Sequence, residues 1–246
     1  MLKKLYDKSK IVFSIVWIIA YCVLMSVGDS LSEALKIEKS VSLAVGLLLS
    51  AILFVFLKKH GLLREYGLCR SESTPKEMLF YLPIILMLTA NLWYGIELNL
   101  GITETVLYIL SMLCVGFLEE VIFRGLLFNT MKKDGLKTAI IVSSITFGIG
   151  HIINLFNGSG AELIPNLLQV VYATAAGFMF VMMYLKSNSL IVSITAHGIF
   201  NALSVFAKET STAENIISCI LLTVITGSYA TYLALQQKNN NVLPFK

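Results

Sequence analysis

Three ionisable residues sit inside an otherwise apolar helical run: Glu119, Glu120 and Arg124, in the segment Phe117-Leu-Glu-Glu-Val-Ile-Phe-Arg124. The run extends from about Val106 to Phe128, long enough to cross a bilayer. A charge at bilayer depth costs roughly 2.5–3.5 kcal/mol on insertion scales, so such residues usually face a protein interior and carry function. His151, His197 and Asn201 lie in two further apolar segments. A carboxylate, two imidazoles and a carboxamide are enough for water-mediated amide hydrolysis. The carboxylate takes a proton from water, and an imidazole orients the water or protonates the leaving amine. Asn201 and His197 can donate to the oxyanion as it forms. No serine or cysteine has an obvious base at comparable depth, which makes a covalent nucleophile the weaker option. Glu119, His151 and His197 would also suit a divalent ion such as zinc, with one position left for water. The H-E-x-x-H pairing of soluble metalloproteases is absent, and metal-dependent and metal-free chemistry both stay open.

Counting from the nearest basic residue puts these groups at one level. At 1.5 Å per residue, Glu119 lies about 20 Å from Lys132, His151 about 21 Å from Lys137, His197 about 16 Å from Lys186 and Asn201 about 22 Å. Three helices thus deliver polar groups near the middle of a hydrocarbon core about 30 Å thick. Phe147 and His151 are i,i+4 partners, as are His197 and Asn201, and Glu120 precedes Arg124 in the order that favours an ion pair. Adjacent helical residues point about 100° apart, so Glu119 and Glu120 cannot do the same job. The expectation is that Arg124 compensates Glu120 while Glu119 turns toward the histidines; the converse assignment, with Glu120 as base, stays open. The plain alternative for Glu120–Arg124 is a structural ion pair, and for a single membrane histidine a helix-packing hydrogen bond. His60 reads as a solvated loop residue, and Asn91, Trp93 and Tyr94 as interface anchors.

These groups need a scaffold of apolar helices. Of 246 residues, 57% are hydrophobic and 14% charged, against about 25% charged in soluble domains, and the mean hydropathy is +0.79. The chain reads as one all-α integral membrane domain over residues 1–246, with no separate soluble domain and no nucleic-acid partner. Eight apolar segments are visible, at roughly 11–27, 41–57, 78–96, 104–130, 138–156, 163–185, 189–206 and 214–236. With both termini in the cytoplasm, 15 of the 19 Lys and Arg residues, Lys246 included, fall on that side. Lys36, Lys39 and Lys208 fall opposite, and Arg124 within a helix. That bias orients a polytopic protein. The basic start and first apolar run resemble a signal peptide without a convincing cleavage site, and are expected to stay as the first span. Cys22, Cys69, Cys114 and Cys219 show no CxxC spacing, so neither a disulfide framework nor a thiolate zinc site is indicated.

Segments five to seven carry Gly, Ala, Ser and Thr positions that let helices approach closely in lipid. Segments four to seven are therefore expected to form the packed centre, with one, two and eight peripheral. Pro83 should bend segment three, Pro165 fits a first helical turn, and Asn157-Gly-Ser-Gly160 reads as a turn. No internal repeat is evident, which weakens a reading as a transporter with a proton relay.

Three motifs resemble those of the CAAX-protease and bacteriocin-processing (CPBP, or Abi) family of intramembrane endopeptidases. Glu119-Glu-Val-Ile-Phe-Arg124 fits EExxxR, Phe147-Gly-Ile-Gly-His151 fits FxxxH, and His197-Gly-Ile-Phe-Asn201 fits HxxxN. The likeness covers roughly residues 104–206. It implies an eight-helix core, peptide-bond cleavage, and catalytic roles at Glu119, Glu120, His151, His197 and Asn201 supported by Arg124 and Phe147. The family is commonly labelled metalloprotease, although a glutamate-dependent mechanism without metal is also argued for it. The implied substrate is a membrane-bound or amphipathic peptide, reaching the site from the cytoplasmic side or laterally between helices. A bacterial plasma membrane is the expected location, and bacteriocin self-immunity, peptide-pheromone maturation or CAAX-like processing the expected settings. A non-catalytic membrane scaffold that keeps these residues as a packing network is the main competing reading.

Overall fold

The computed structural model describes residues 2–157 and 161–239, with side chains as far as residue 237. The chain opens with a short helix α1 (Leu2–Lys8). Ser9 then caps α2 (Lys10–Leu35), its hydroxyl accepting from the Val12 N–H at 3.3 Å, which satisfies one of the orphan donors of the first turn. α2 ends at Lys36, whose left-handed backbone turns the chain into α3 (Ser40–Lys59). A long basic loop leads to α4 (Leu82–Leu88). α5 (Ile102–Glu119) continues without interruption into a π-helix over Glu120–Phe128 and a last turn at Asn129–Met131. α6 (Leu136–Gly150) tightens into a 3₁₀ turn at His151–Leu155. α7 (Leu163–Ser187), α8 (Ile191–Leu203) and α9 (Thr212–Asn239) complete the chain. Among the described residues there is no strand, only an isolated bridge between Ile96 and Ala207.

Among the described residues six helices are long and apolar enough to cross a membrane: α2, α3, α5 with its continuation, α6 with its 3₁₀ turn, α7 and α9. The chain is thus a multi-pass membrane protein. The other two apolar segments form helical stretches of 10–17 residues, Leu79–Leu92 and Ile191–Phe206, too short to span about 30 Å alone. Segment three also departs from expectation in shape. Leu79, Phe80 and Tyr81 all have positive φ, so the chain makes a left-handed turn there. Pro83 sits in the first turn of α4, where its missing N–H leaves no intrahelical bond unmade; it starts a helix rather than bending one. Pro165 lies in the first turn of α7, as expected. Residues 158–160 of the expected turn, and Lys246, lie outside the described residues.

Close helix contacts occur where the small residues stand. A Cβ added to Gly116 on α5 would approach the backbone nitrogen of Gly198 on α8 to 2.5 Å, and one added to Gly177 on α7 would lie 3.0 Å from the Ser144 carbonyl on α6. In lipid no hydrophobic force draws helices together, so such backbone-to-backbone packing supplies much of the association. Two apolar clusters result. One joins α2, α3 and the α5 π-helix, and the other centres on α7 and α9. The expectation of peripheral first segments fails for α2. Val16, Ile19 and Val23 face outward, but Phe13, Trp17, Tyr21 and Met25 are each at most 8% exposed, and α2 packs directly on the π-helix.

Candidate active site

The π-helix is the local feature that builds the centre. Its i→i+5 bonding interrupts the α winding immediately after Glu119, a distortion frequent at functional sites, and every residue from Glu120 to Phe128 is buried. Arg124 Nη1 donates to Glu120 Oε1 at 3.0 Å, and both side chains are fully buried. The guanidinium carbon lies 3.9 Å from the Phe147 ring centre and 5.4 Å from that of Phe180. Nε and Nη2 of Arg124 find no acceptor among the described residues; the aromatic faces take the place of oxygen partners, as ring quadrupoles attract a desolvated cation.

His197 joins this pair to Glu119. Its Nδ1 lies 3.0 Å from Glu120 Oε1, and its Nε2 3.3 Å from Glu119 Oε2. The ring stacks on Phe180 and meets Phe147 edge-on. Glu119 Oε1 accepts from the Tyr21 hydroxyl of α2 at 2.7 Å. Glu120, bonded to Arg124, is a pure acceptor, so His197 presents Nδ1–H to it and turns Nε2 toward Glu119. The Nε2···Oε2 contact is attractive only if one proton lies between them.

His151 stands at the start of the 3₁₀ turn. Its Nδ1 is 3.0 Å from the Phe147 carbonyl, which can only accept; in the neutral ring Nδ1 therefore carries the hydrogen and Nε2 the lone pair. A relay of carboxamides fixes this turn. Asn166, 2% exposed, donates to the His151 carbonyl at 2.9 Å and reaches Gln169 Oε1, which also accepts from Asn154. Glu119, His151 and Asn201 line one cavity of about 250 Å³, with Phe123 and Phe147 also in its wall. Both imidazoles pack edge-on against the same Phe147 ring, with centroids at 5.0 Å for His151 and 5.6 Å for His197.

The structure thus brings together Glu119, Glu120, Arg124, Phe147 and His197 by direct contact, and places His151 and Asn201 on the shared cavity. Arg124 pairs with Glu120 as inferred from helical geometry, but His197 meets both carboxylates rather than Glu119 alone, and His151 shares only the cavity with Glu119. Tyr21, Phe180 and the Asn166–Gln169–Asn154 relay are additional members. A signal for Tyr21 existed: it stands 11 residues after Lys10, the same count that separates His197 from Lys186. The expected anchors have interior partners instead: Asn91 donates to the Phe200 carbonyl at 2.6 Å, and the Tyr94 hydroxyl to that of Glu214 at 3.2 Å. His60 ends α3 with its ring against Phe56. As placed, the trio Glu119, His151 and His197 does not make a metal centre: among the described residues no three His, Cys, Asp or Glu side chains converge to hold an ion. The chemistry is therefore followed on the chain's own groups.

Residues 101–203 match the family described as type II CAAX prenyl endopeptidase Rce1-like. Over this segment the chain is similar to the Rce1-like family. It runs from the start of α5 to the end of α8 and holds every residue of the centre except Tyr21. No curated protein matches the chain. The Rce1-like family is a protease family, and the kind of activity it supports here is that of a CAAX-type intramembrane endopeptidase. The Rce1-like segment also contains the π-helix and the Asn166 relay, so the scaffolding of the centre lies almost wholly within it.

Proposed function

We propose that this protein is an intramembrane endopeptidase that hydrolyses a peptide bond of a membrane-associated peptide with water activated by Glu119. The observation that carries the reading is the contact at 3.3 Å between His197 and Glu119, whose side chain lines a cavity that His151 and Asn201 share. Glu119 takes the proton of a water in that cavity. Glu120, held by Arg124, keeps His197 oriented through Nδ1, and the shared proton on the Nε2 side is delivered toward the developing oxyanion or the leaving amine. His151 Nε2 accepts from the water and aligns it, and the Asn201 carboxamide donates to the carbonyl oxygen. The Tyr21 hydroxyl holds the base in place. The chain crosses the membrane eight times with both termini cytoplasmic, in a bacterial plasma membrane, and its substrate is an amphipathic or membrane-bound peptide.

Mass spectrometry of the membrane-peptide pool from cells carrying wild-type or Glu119→Gln protein tests this directly. The variant keeps the shape of the side chain but cannot take a proton. Its cells should lack defined cleavage products, with turnover of the identified peptide lowered by about 10²–10⁴, the usual worth of a positioned general base. Unchanged products from a folded, inserted Glu119→Gln protein would remove the proposal and leave the scaffold reading.

A further inference from the structure

The geometry points to a substrate path that opens on the membrane face opposite the basic loops, so that the peptide taken is one presented from the non-cytoplasmic side. This rests on the peptidase reading above and adds where its substrate comes from.

The cavity at Glu119 has a direction, which its walls define helix by helix. On α2 it begins at Tyr21 and climbs through Met25 and Ser26 to Asp29, away from Lys10. On α5 it runs from Glu119 back through Met112 to Tyr108, away from Lys132. Beyond His151 it continues to Asn154, away from Lys137, and beyond Asn201 to Ser204, away from Lys186. Four helices agree, α2, α6 and α8 running one way and α5 the other. In the other direction the walls stop at Phe123 and Phe147. Below them Arg124 and the rest of the π-helix are buried. At the basic end Asn129 binds the Tyr184 hydroxyl and the Glu65 carbonyl, and Tyr6 meets Tyr66 at 2.8 Å. That end is closed by packed side chains.

The open end is chemically suited to a peptide. Carboxamides of Asn91, Asn154, Gln169 and Asn201 line it, groups that both donate and accept and so match a peptide backbone. At its rim Lys39 pairs with Asp29 at 2.8 Å, and Asp29 also receives the Ser42 hydroxyl at 2.5 Å. The ammonium lies in the lining beside Tyr108, with Glu38 also 3.8 Å away; among the described lining residues it is the one lysine or arginine, and an acidic group or chain-end carboxylate on the incoming peptide would compete with these carboxylates for it. Of the two routes expected from the sequence, cytoplasmic or lateral between helices, the cytoplasmic one has no counterpart among the described lining residues.

Sidedness of thiol labelling tests this without requiring turnover. In a variant with its native cysteines replaced, Ser26→Cys reports the cavity and Ser71→Cys the basic loop. A membrane-impermeant methanethiosulfonate ammonium reagent is added to right-side-out or inverted vesicles and the mass shift read. Ser26→Cys should react from the outside and Ser71→Cys from the inside. Reaction of both from the same face, or of Ser71→Cys alone, overturns the path; Ser204→Cys replaces Ser26→Cys if that variant does not fold. Repeating the labelling in the Glu119→Ala background separates the two claims, since access can persist when the peptidase reading fails.

Discussion

At the scale of single residues the centre is a chain of partners that each fix the next: Arg124 holds Glu120, Glu120 orients His197, His197 meets Glu119, and Glu119 is held from its far side by Tyr21. The Tyr21 bond is charge-assisted, and a hydrogen bond to a charged group is worth about 1.5–3 kcal/mol. Tyr21→Phe removes it while keeping the ring. Kinetics on the purified variant should show kcat lowered about tenfold or more with KM unchanged and a melting temperature lowered by a few degrees, because the loss falls on the base and its support and not on the binding surface. The buried pair behaves differently. Arg124→Met strands the Glu120 carboxylate in a site with no solvent, and removing one partner of a buried pair costs about 3–5 kcal/mol. The double variant Glu120→Gln/Arg124→Met leaves no unpaired charge and should recover most of that stability in detergent melts, yet stay slow because His197 has lost its anionic partner. Recovery of activity with stability would reduce Glu120 to a counter-ion for arginine. Depth counting brought Glu119, His151 and His197 into one site because each sits on a segment already marked by polar residues. Tyr21 stayed out of view because its segment reads as uniformly bulky, and an aromatic there is normally packing. Phe180 carries no polar atom, so its stacking on His197 has no trace in the chain's pattern.

At the scale of elements, helices and their close contacts were readable, while the deviations from ideal helix were not. Periodicity and hydropathy mark Val106–Phe128 as helical, but α and π winding share the same apolar composition, and the difference lies in which carbonyl each N–H finds. The same applies to segment three, where Pro83 is visible but the left-handed turn at Leu79–Tyr81 before it is a tertiary outcome. Most of the small-residue positions translated into close packing, as at Gly148, Gly177 and Gly198, whereas a Cβ at Gly150 would meet nothing within 4 Å. Gly116 and Gly227 separate such packing from composition. A Cβ at Gly116 collides with the backbone of Gly198, whereas one at Gly227 on α9 meets nothing within 4 Å. Gly116→Ala should therefore destabilise by about 1–3 kcal/mol, as overpacking does, and pull α8 with its His197 out of register. Gly227→Ala should be neutral or gain up to about 1 kcal/mol from helix propensity. Thermal melts with a retained-activity assay check both, and equal behaviour of the two would show that the α5–α8 contact is softer than its geometry implies.

At the scale of the whole molecule the open matter is how two short apolar stretches sit among six long ones, because parity decides which face the centre sees. The hydrogen bonds at their ends bear on this. Before Leu79–Leu92, the Glu72 N–H reaches the Ser187 carbonyl at 2.8 Å and the Ser73 hydroxyl the Lys186 carbonyl at 2.7 Å, on the basic side of α7. After it, Asn91 binds the Phe200 carbonyl and Asn99 the Ala207 carbonyl, near the far end of α8. Ile191–Phe206 likewise starts beside Gly67 of the basic loop, where Leu190 N–H donates at 2.8 Å, and ends at that far side. The two ends of each short helix thus bond to different loops at opposite ends of the long ones. Non-helical backbone at membrane depth is tolerated where protein shields it, and α4 packs between α8 and α9. Reporter fusions after Lys133 and after Lys208 read the consequence. With eight crossings a fluorescent protein at the first site glows in the cytoplasm and alkaline phosphatase at the second is active outside. If segment three failed to cross, the loop bearing Lys132 and Lys133 would move to the outer face and the first result would invert. The basic residues would then stand against the positive-inside bias at the loop following the π-helix, so the first fusion decides segment three, and the second, read with it, decides segment seven.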